Sequence, residues 1–181
     1  MQHIKKIIVL SFIIILLQGC LVFKSVSYEV NLTGTNSGTV LMDVKDIRSD
    51  AMDASQLEQD KNQLFQEMLK SDEFIKQMKE QGKNIISRNL SVSDGKLNGT
   101  VKYSFNDITN VENFNYQEPF YFVTLEPNDS IISTNGEVII SKDHKRIMWD
   151  KSIKTLKFEM FSTNTEGSNL VELVQYFDQE K

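Results

Sequence analysis

Apolar and polar positions alternate with a period of two over much of this chain. Val22, Val26, Tyr28, Val30 and Leu32 alternate with Ser25, Ser27, Glu29, Asn31 and Thr33, the pattern of a half-buried strand. The cluster Gly34-Thr35-Asn36-Ser37-Gly38 then predicts a turn, and Val40, Met42 and Val44 supply a second alternating run, so the two read as a hairpin. From Ser55 to Gly82 the spacing becomes helical: Leu57, Leu64, Phe65, Met68 and Leu69, then Phe74, Ile75 and Met78. Ser71-Asp72 is placed to cap a second helix inside this segment and Gly82 to end it, so one kinked helix or two short ones are expected.

Period two returns with Ile86, Leu90 and Val92 before Asp94-Gly95 and Val101, Tyr103 and Phe105 after it, a strong hairpin signal because both central residues accept positive φ. Asn135-Gly136, between Ile131-Ile132 and Val138 to Ile140, predicts a further hairpin. Strands are expected at Phe120 to Leu125, Arg146 to Trp149 and Thr155 to Phe161. The tail fits two elements: Leu170, Leu173, Val174 and Phe177 make a helical stripe, and Val171 to Phe177 makes a strand. The expected fold is α+β, a mainly antiparallel sheet of hairpins with one helical segment, residues 55–82, packed on a face.

One apolar run belongs to neither pattern. His3, Lys5 and Lys6 precede about eleven mostly apolar residues, Ile7 to Leu17, the layout of a secretory signal and too short for the ~20 residues of a spanning helix. The run ends in Leu17-Gln18-Gly19-Cys20, which holds the only cysteine of the chain. This resembles the lipobox of bacterial lipoproteins, with Leu17 three residues before the cysteine and the small Gly19 just before it; Gln18 departs from the usual residue type. The resemblance implies that residues 1–19 are a signal peptide and that Cys20 is lipidated and becomes the N-terminus, so that membrane lipid is a partner through the acyl chains. Two or three chains anchor firmly, at about 0.8 kcal/mol per buried CH₂. The alternative is an ordinary cysteine at the end of a cleaved signal.

Residues 20–27 then read as a short tether and 28–181 as a single domain. At about 3.3 Å per extended residue, a tether of some five free residues holds that domain within roughly 20 Å of the bilayer. Leu21, in the place where an aspartate retains lipoproteins at the inner membrane, favours the outer membrane of a two-membrane envelope. The layout of hairpin, helix and further hairpins after the cysteine resembles the LppM-type lipoprotein domain, which implies an envelope lipoprotein with a small lipid-facing or ligand-binding fold and carries over no catalytic residue.

Loss of Lys5 and Lys6 leaves a mature chain with net charge −7, and such an acidic balance argues against nucleic-acid binding. Candidate chemistry is sparse. The mature chain has one histidine, His144, set among turn charges in Lys142-Asp143-His144-Lys145-Arg146, with no Gly-x-Ser-x-Gly elbow and no glycine-rich phosphate loop. Neither a catalytic residue, a metal site nor a cofactor is expected. The carboxylates Asp43, Asp46, Asp50, Asp53, Glu58 and Asp60 fit no EF-hand spacing; Asp50 and Asp53 stand where negative charge favours a helix N-terminus.

Two features remain as candidate sites. Lys142, Lys145, Arg146, Lys151, Lys154 and Lys157 outnumber Asp143 and Asp150, a basic patch for anionic headgroups if folding gathers it, or otherwise lysine protection of strand edges. The stretch from Asp107 to Pro119 lacks periodicity, and its Phe114 and Tyr116 either form a recognition loop or fold back into the core. The expected function is that of a noncatalytic, membrane-anchored envelope lipoprotein binding a protein partner or a hydrophobic ligand near the bilayer. An assembly subunit of an envelope complex is the alternative, and a hydrolase comes third. An enclosed pocket would favour the ligand and an exposed apolar face the partner.

Overall fold

A computed structural model of the chain describes residues 21–166 and 169–177. The segment 1–19, read above as a signal peptide, and Cys20 lie outside the described residues. Thirteen strands, β1 (Leu21–Val22), β2 (Ser25–Leu32), β3 (Gly38–Lys45), β4 (Arg48–Ser49), β5 (Lys83–Ser93), β6 (Lys96–Phe105), β7 (Phe114–Gln117), β8 (Phe120–Leu125), β9 (Ser130–Thr134), β10 (Glu137–Ile140), β11 (Lys145–Asp150), β12 (Thr155–Phe161) and β13 (Val171–Glu172), form antiparallel sheets. The helices are α1 (Ala54–Lys61), continued by a wider π-helical stretch over Asn62–Met68, α2 (Asp72–Glu80) and α3 (Val174–Phe177). The fold is α+β and dominated by antiparallel sheet, as the alternation implies.

The strands divide into a six-stranded sheet of order β5-β6-β3-β2-β12-β9, a four-stranded sheet β10-β11-β8-β7 and a small sheet β1-β4-β13. Register explains how they stack. Leu156, Val30, Val40 and Tyr103 are partners across four strands of the large sheet, so they share one face. They pack with Val123, Ile147, Trp149 and Phe114 of the four-stranded sheet in one core. Val44, Leu90 and Leu97 lie farther along the same face and join a second core with Ile47, Leu64, Phe65, Leu173 and Phe177. The helical segment thus covers one end of that face and the four-stranded sheet covers the rest. The opposite face alternates outward as Ser27, Glu29, Asn31, Thr100 and Lys102 and is mainly polar, with Leu41 and Phe161 the apolar members.

Local chemistry sets several boundaries. Asp53 caps α1 by accepting from the Gln56 amide at 2.9 Å, and the Ser71 hydroxyl accepts from the amides of Glu73 and Phe74 to start α2. Gly82 ends α2 with φ +78°, and Asp94 and Gly95 take φ 53° and 70° in the β5–β6 hairpin.

Three expectations change. Of the expected tether 20–27, the described residues 21–27 are not free: Leu21 and Val22 pair with Ser49 and Arg48, and β2 begins at Ser25. Asn135-Gly136 does not close a hairpin, because β9 pairs with β12 in the large sheet and β10 with β11 in the four-stranded one. Gly136 is required there by close approach, since a Cβ would stand 2.7 Å from the Trp149 ring and 2.8 Å from Ile147. The tail is both elements in miniature, β13 followed by α3.

Candidate functional site

Phe114, expected in a recognition loop, opens β7 and is 2 % exposed. Its ring stacks on Trp149 at 5.6 Å and tilts against Phe158 at 5.7 Å, so it fills the space between the two large sheets. Tyr116 packs on Tyr121 at 4.7 Å and its hydroxyl donates to Glu118. The stretch from Asp107 to Pro119 is ordered by a short 3₁₀ turn over Ile108–Asn110, which Asp107 caps through the Thr109 amide, and then by β7.

The basic residues do not gather. Lys142 sits in the β10–β11 turn, and Lys145 donates to the Asp129 carbonyl at 2.6 Å. Arg146 points outward from the four-stranded sheet, bonded to Thr124 and 5.0 Å over the Phe122 ring. Lys151 pairs with Glu118 beyond the far end of β11, and Lys154 is exposed in the loop before β12. Lys157 lies on the outer face of the six-stranded sheet, 2.7 Å from Glu29. Alternate strands and opposite layers separate these charges, and Lys151 and Lys157 already have acidic partners.

Two buried polar clusters tie elements together. Asp46, 2 % exposed with φ 55°, accepts from Arg48 at 2.9 Å and from Thr165 at 2.5 Å and faces Lys96 at 3.5 Å, while its amide donates to Asn98. Burial raises the pKa of its carboxyl, but the Arg48 and Thr165 hydrogen bonds and the charges of Arg48 and Lys96 outweigh it and hold the group below the usual carboxylate range. The cluster fastens the β3–β4 turn to β6 and to the chain beyond β12. Elsewhere Lys83 is paired with Glu112, whose second oxygen accepts from Tyr103 at 3.0 Å. Burial and the nearby Glu112 charge push both the Tyr103 and Tyr28 hydroxyls up. Among the described residues no group of three or more His, Cys, Asp or Glu side chains is arranged to hold a metal ion.

The best-formed depression among the described residues, between Asp46, Arg48, Lys96, Leu97, Glu172 and Leu173, holds about 10 Å³, room for about one water. A pocket for a drug-sized molecule takes roughly 300–1,000 Å³.

Apolar side chains also line the outward side of the four-stranded sheet. The inward residues of β8 and β11 are Tyr121, Val123, Leu125, Ile147 and Trp149, all buried. Their outward neighbours include Phe120, Phe122 and Met148, with Met148 and Phe122 direct cross-strand partners. Phe120 is 38 % exposed, and Phe122 and Met148 are half-buried. Arg146 beside them is the cation of this face, laid on Phe122. The sequence signal was present and differs from the one that singled out Phe114: Phe120-Tyr121-Phe122-Val123 and Ile147-Met148-Trp149 are apolar at consecutive positions, so both sides of those strands carry apolar groups.

No helix among the described residues is long and apolar enough to cross a membrane. No family model matches the chain, and no curated protein or solved structure is significantly similar to it.

Proposed function

We propose that the protein is a lipid-anchored component of a bacterial envelope that acts without catalysis, by docking a protein partner on the outward face of its four-stranded sheet. The observation that carries this reading is the pair Phe122 and Met148, flanked by Phe120 and Arg146, on a sheet whose other side is already filled by the core. An apolar centre rimmed by polar groups is the anatomy of a protein interface. Arg146 calls for a carboxylate on the partner, placed where the guanidinium leaves Phe122 uncovered.

The lipobox-like ending at Cys20 supports the anchor, and Leu21 after it supports the outer membrane where the envelope has two. Because Leu21 enters β1 directly, an acylated Cys20 would hold the domain against the bilayer with almost no slack. A partner is favoured over a hydrophobic ligand because the pair lies on an outward sheet face while the depression holds about one water. An assembly role uses the same face and differs only in the permanence of the complex.

The test is the full chain with Phe122→Ser and Met148→Ser, expressed in its host and solubilised in mild detergent. Both side chains lie on the outward side of the sheet and outside the buried core, so the fold is expected to survive, with a host envelope protein lost from co-purification. Unchanged co-purification of every partner would overturn the assignment of the face. Cys20→Ala tests the anchor separately: release from the membrane fraction supports it, and retention with unchanged acyl labelling refutes it.

A further inference from the structure

Along one side of the sandwich the chain crosses from the edge of one sheet to the edge of the other. β9 is the outermost strand of the six-stranded sheet and β10 the outermost strand of the four-stranded sheet, and Asn135-Gly136 joins them. Among the described residues no strand pairs with the far side of β10. That edge is apolar: Val138 and Ile139 are each 40 % exposed and Ile140 71 %. Exposed edges commonly carry lysine, proline or a bulge against pairing; Glu137-Val138-Ile139-Ile140 has none of these and keeps regular register with β11.

The hydrogen-bonding side of β10 follows from its turn. The Ser141 amide donates to the His144 carbonyl at 2.9 Å, which makes Ser141 and His144 a hydrogen-bonded pair. In an antiparallel ladder such pairs alternate with non-bonded ones, so Ile139 and Glu137 bond across to Arg146 and Met148. The amides and carbonyls of Val138 and Ile140 therefore point away from β11, toward the open edge.

We propose that β10 pairs antiparallel with β10 of a second copy of this chain, Val138 opposite Ile140 of the other copy and Ile139 on the two-fold axis. Each outward amide and carbonyl of Val138 and Ile140 then meets its complement. Ile139 lies against its own counterpart as a close non-bonded pair, and Val138 against Ile140 on the inner side. Charge selects the register. Glu137 falls opposite Ser141 and beside Lys142 of the other copy, so the acidic start of each strand lies next to the one lysine of the Ser141–His144 turn. Moving the axis one residue toward the turn, onto Ile140, puts Glu137 opposite Asp143, and moving it one residue the other way sets Ile140 against Gly136 and loses the apolar match. The two four-stranded sheets become one continuous sheet. The contact is short, and confinement of both copies to one membrane would raise their effective concentration. The proposal goes beyond the docking face and needs neither Phe122 nor Met148.

The experiment is disulfide trapping of the full chain in membranes under mild oxidation, with the wild-type chain as the baseline for Cys20. Non-bonded antiparallel pairs bring Cα atoms to about 4.5 Å, within the range a disulfide spans. Ile139→Cys is expected to give a dimer band at least tenfold above wild type and above Ser91→Cys on the opposite edge. Val138→Cys and Ile140→Cys should each trap weakly alone and strongly when co-expressed. Adding Ile140→Pro to Ile139→Cys removes an outward amide that β11 does not use, and should abolish trapping while the emission of Trp149 stays unchanged. Trapping of Ile139→Cys no stronger than Ser91→Cys would overturn the proposal, as would equal trapping of all three β10 positions. Trapping retained with Phe122→Ser and Met148→Ser separates this contact from the docking face.

Discussion

Replacing Asn135 by alanine removes one amide that holds both large sheets. Its Oδ1 accepts from Trp149 Nε1 of β11 at 2.8 Å and from the Lys157 amide of β12 at 2.8 Å, and its Nδ2 donates to the Thr155 carbonyl at 2.8 Å. Trp149 is 1 % exposed, so alanine leaves a buried indole N–H without a partner, at about 1–3 kcal/mol. The two bonds to β12 lie at the exposed rim, where water substitutes, and contribute near the lower end of about 0.5–1.5 kcal/mol each. The sum is about 2–4 kcal/mol. For a domain of this size, about 2–4 °C per kcal/mol converts that to a melting temperature lower by roughly 5–15 °C. The assay is thermal and urea unfolding by far-UV circular dichroism, repeated in a Trp149→Phe background. Phenylalanine keeps the stacking with Phe114 but has no N–H to orphan, so Asn135→Ala should cost at least about 1 kcal/mol less there. A loss below about 1 kcal/mol in the wild type, or the same loss in both backgrounds, would refute the reasoning.

Other substitutions probe neighbouring inferences. Gly136→Ala pushes a methyl into the Trp149 ring and should destabilise by about 1–3 kcal/mol with a shifted Trp149 emission, read by urea titration. Asp46 has a folded pKa below its unfolded value, so its contribution to stability is present above the ordinary carboxylate range near 3.9 and is lost as pH falls through the lower folded value. Asp46→Asn should therefore flatten the decline of the urea midpoint between about pH 5 and pH 2. Lys83→Met leaves the partly exposed Glu112 carboxylate beside Tyr103 without its cation and should cost about 1–3 kcal/mol, with much of it recovered by adding Glu112→Gln.

Much of the fold was legible because its strands have one dry and one wet side. β6 and β12 follow their alternation, β5 does so only beyond a bulge that leaves Ile86 exposed, and Ser71, Gly82 and Asp94-Gly95 act through backbone chemistry that is local in sequence. The partition into three sheets was not legible. Asn-Gly specifies a change of direction, but whether the two strands it joins pair together depends on β11 and β12, which come later in the chain. The same holds for the sites. Six basic residues close in sequence fall on different layers, because strand alternation and turns disperse neighbours. The face around Phe122 is built from two strands about twenty residues apart, and becomes visible only once their register is known.

The central claim is that the outward face of the four-stranded sheet docks a protein at the membrane. A photo-crosslinking amino acid placed at Met148 in the full chain, illuminated in the living host, tests it most directly, with Lys102 on the polar face of the large sheet as the control. The account predicts a discrete adduct with a second envelope protein from position 148 and none from position 102. The absence of an adduct at 148, or the same adducts from both positions, would contradict it.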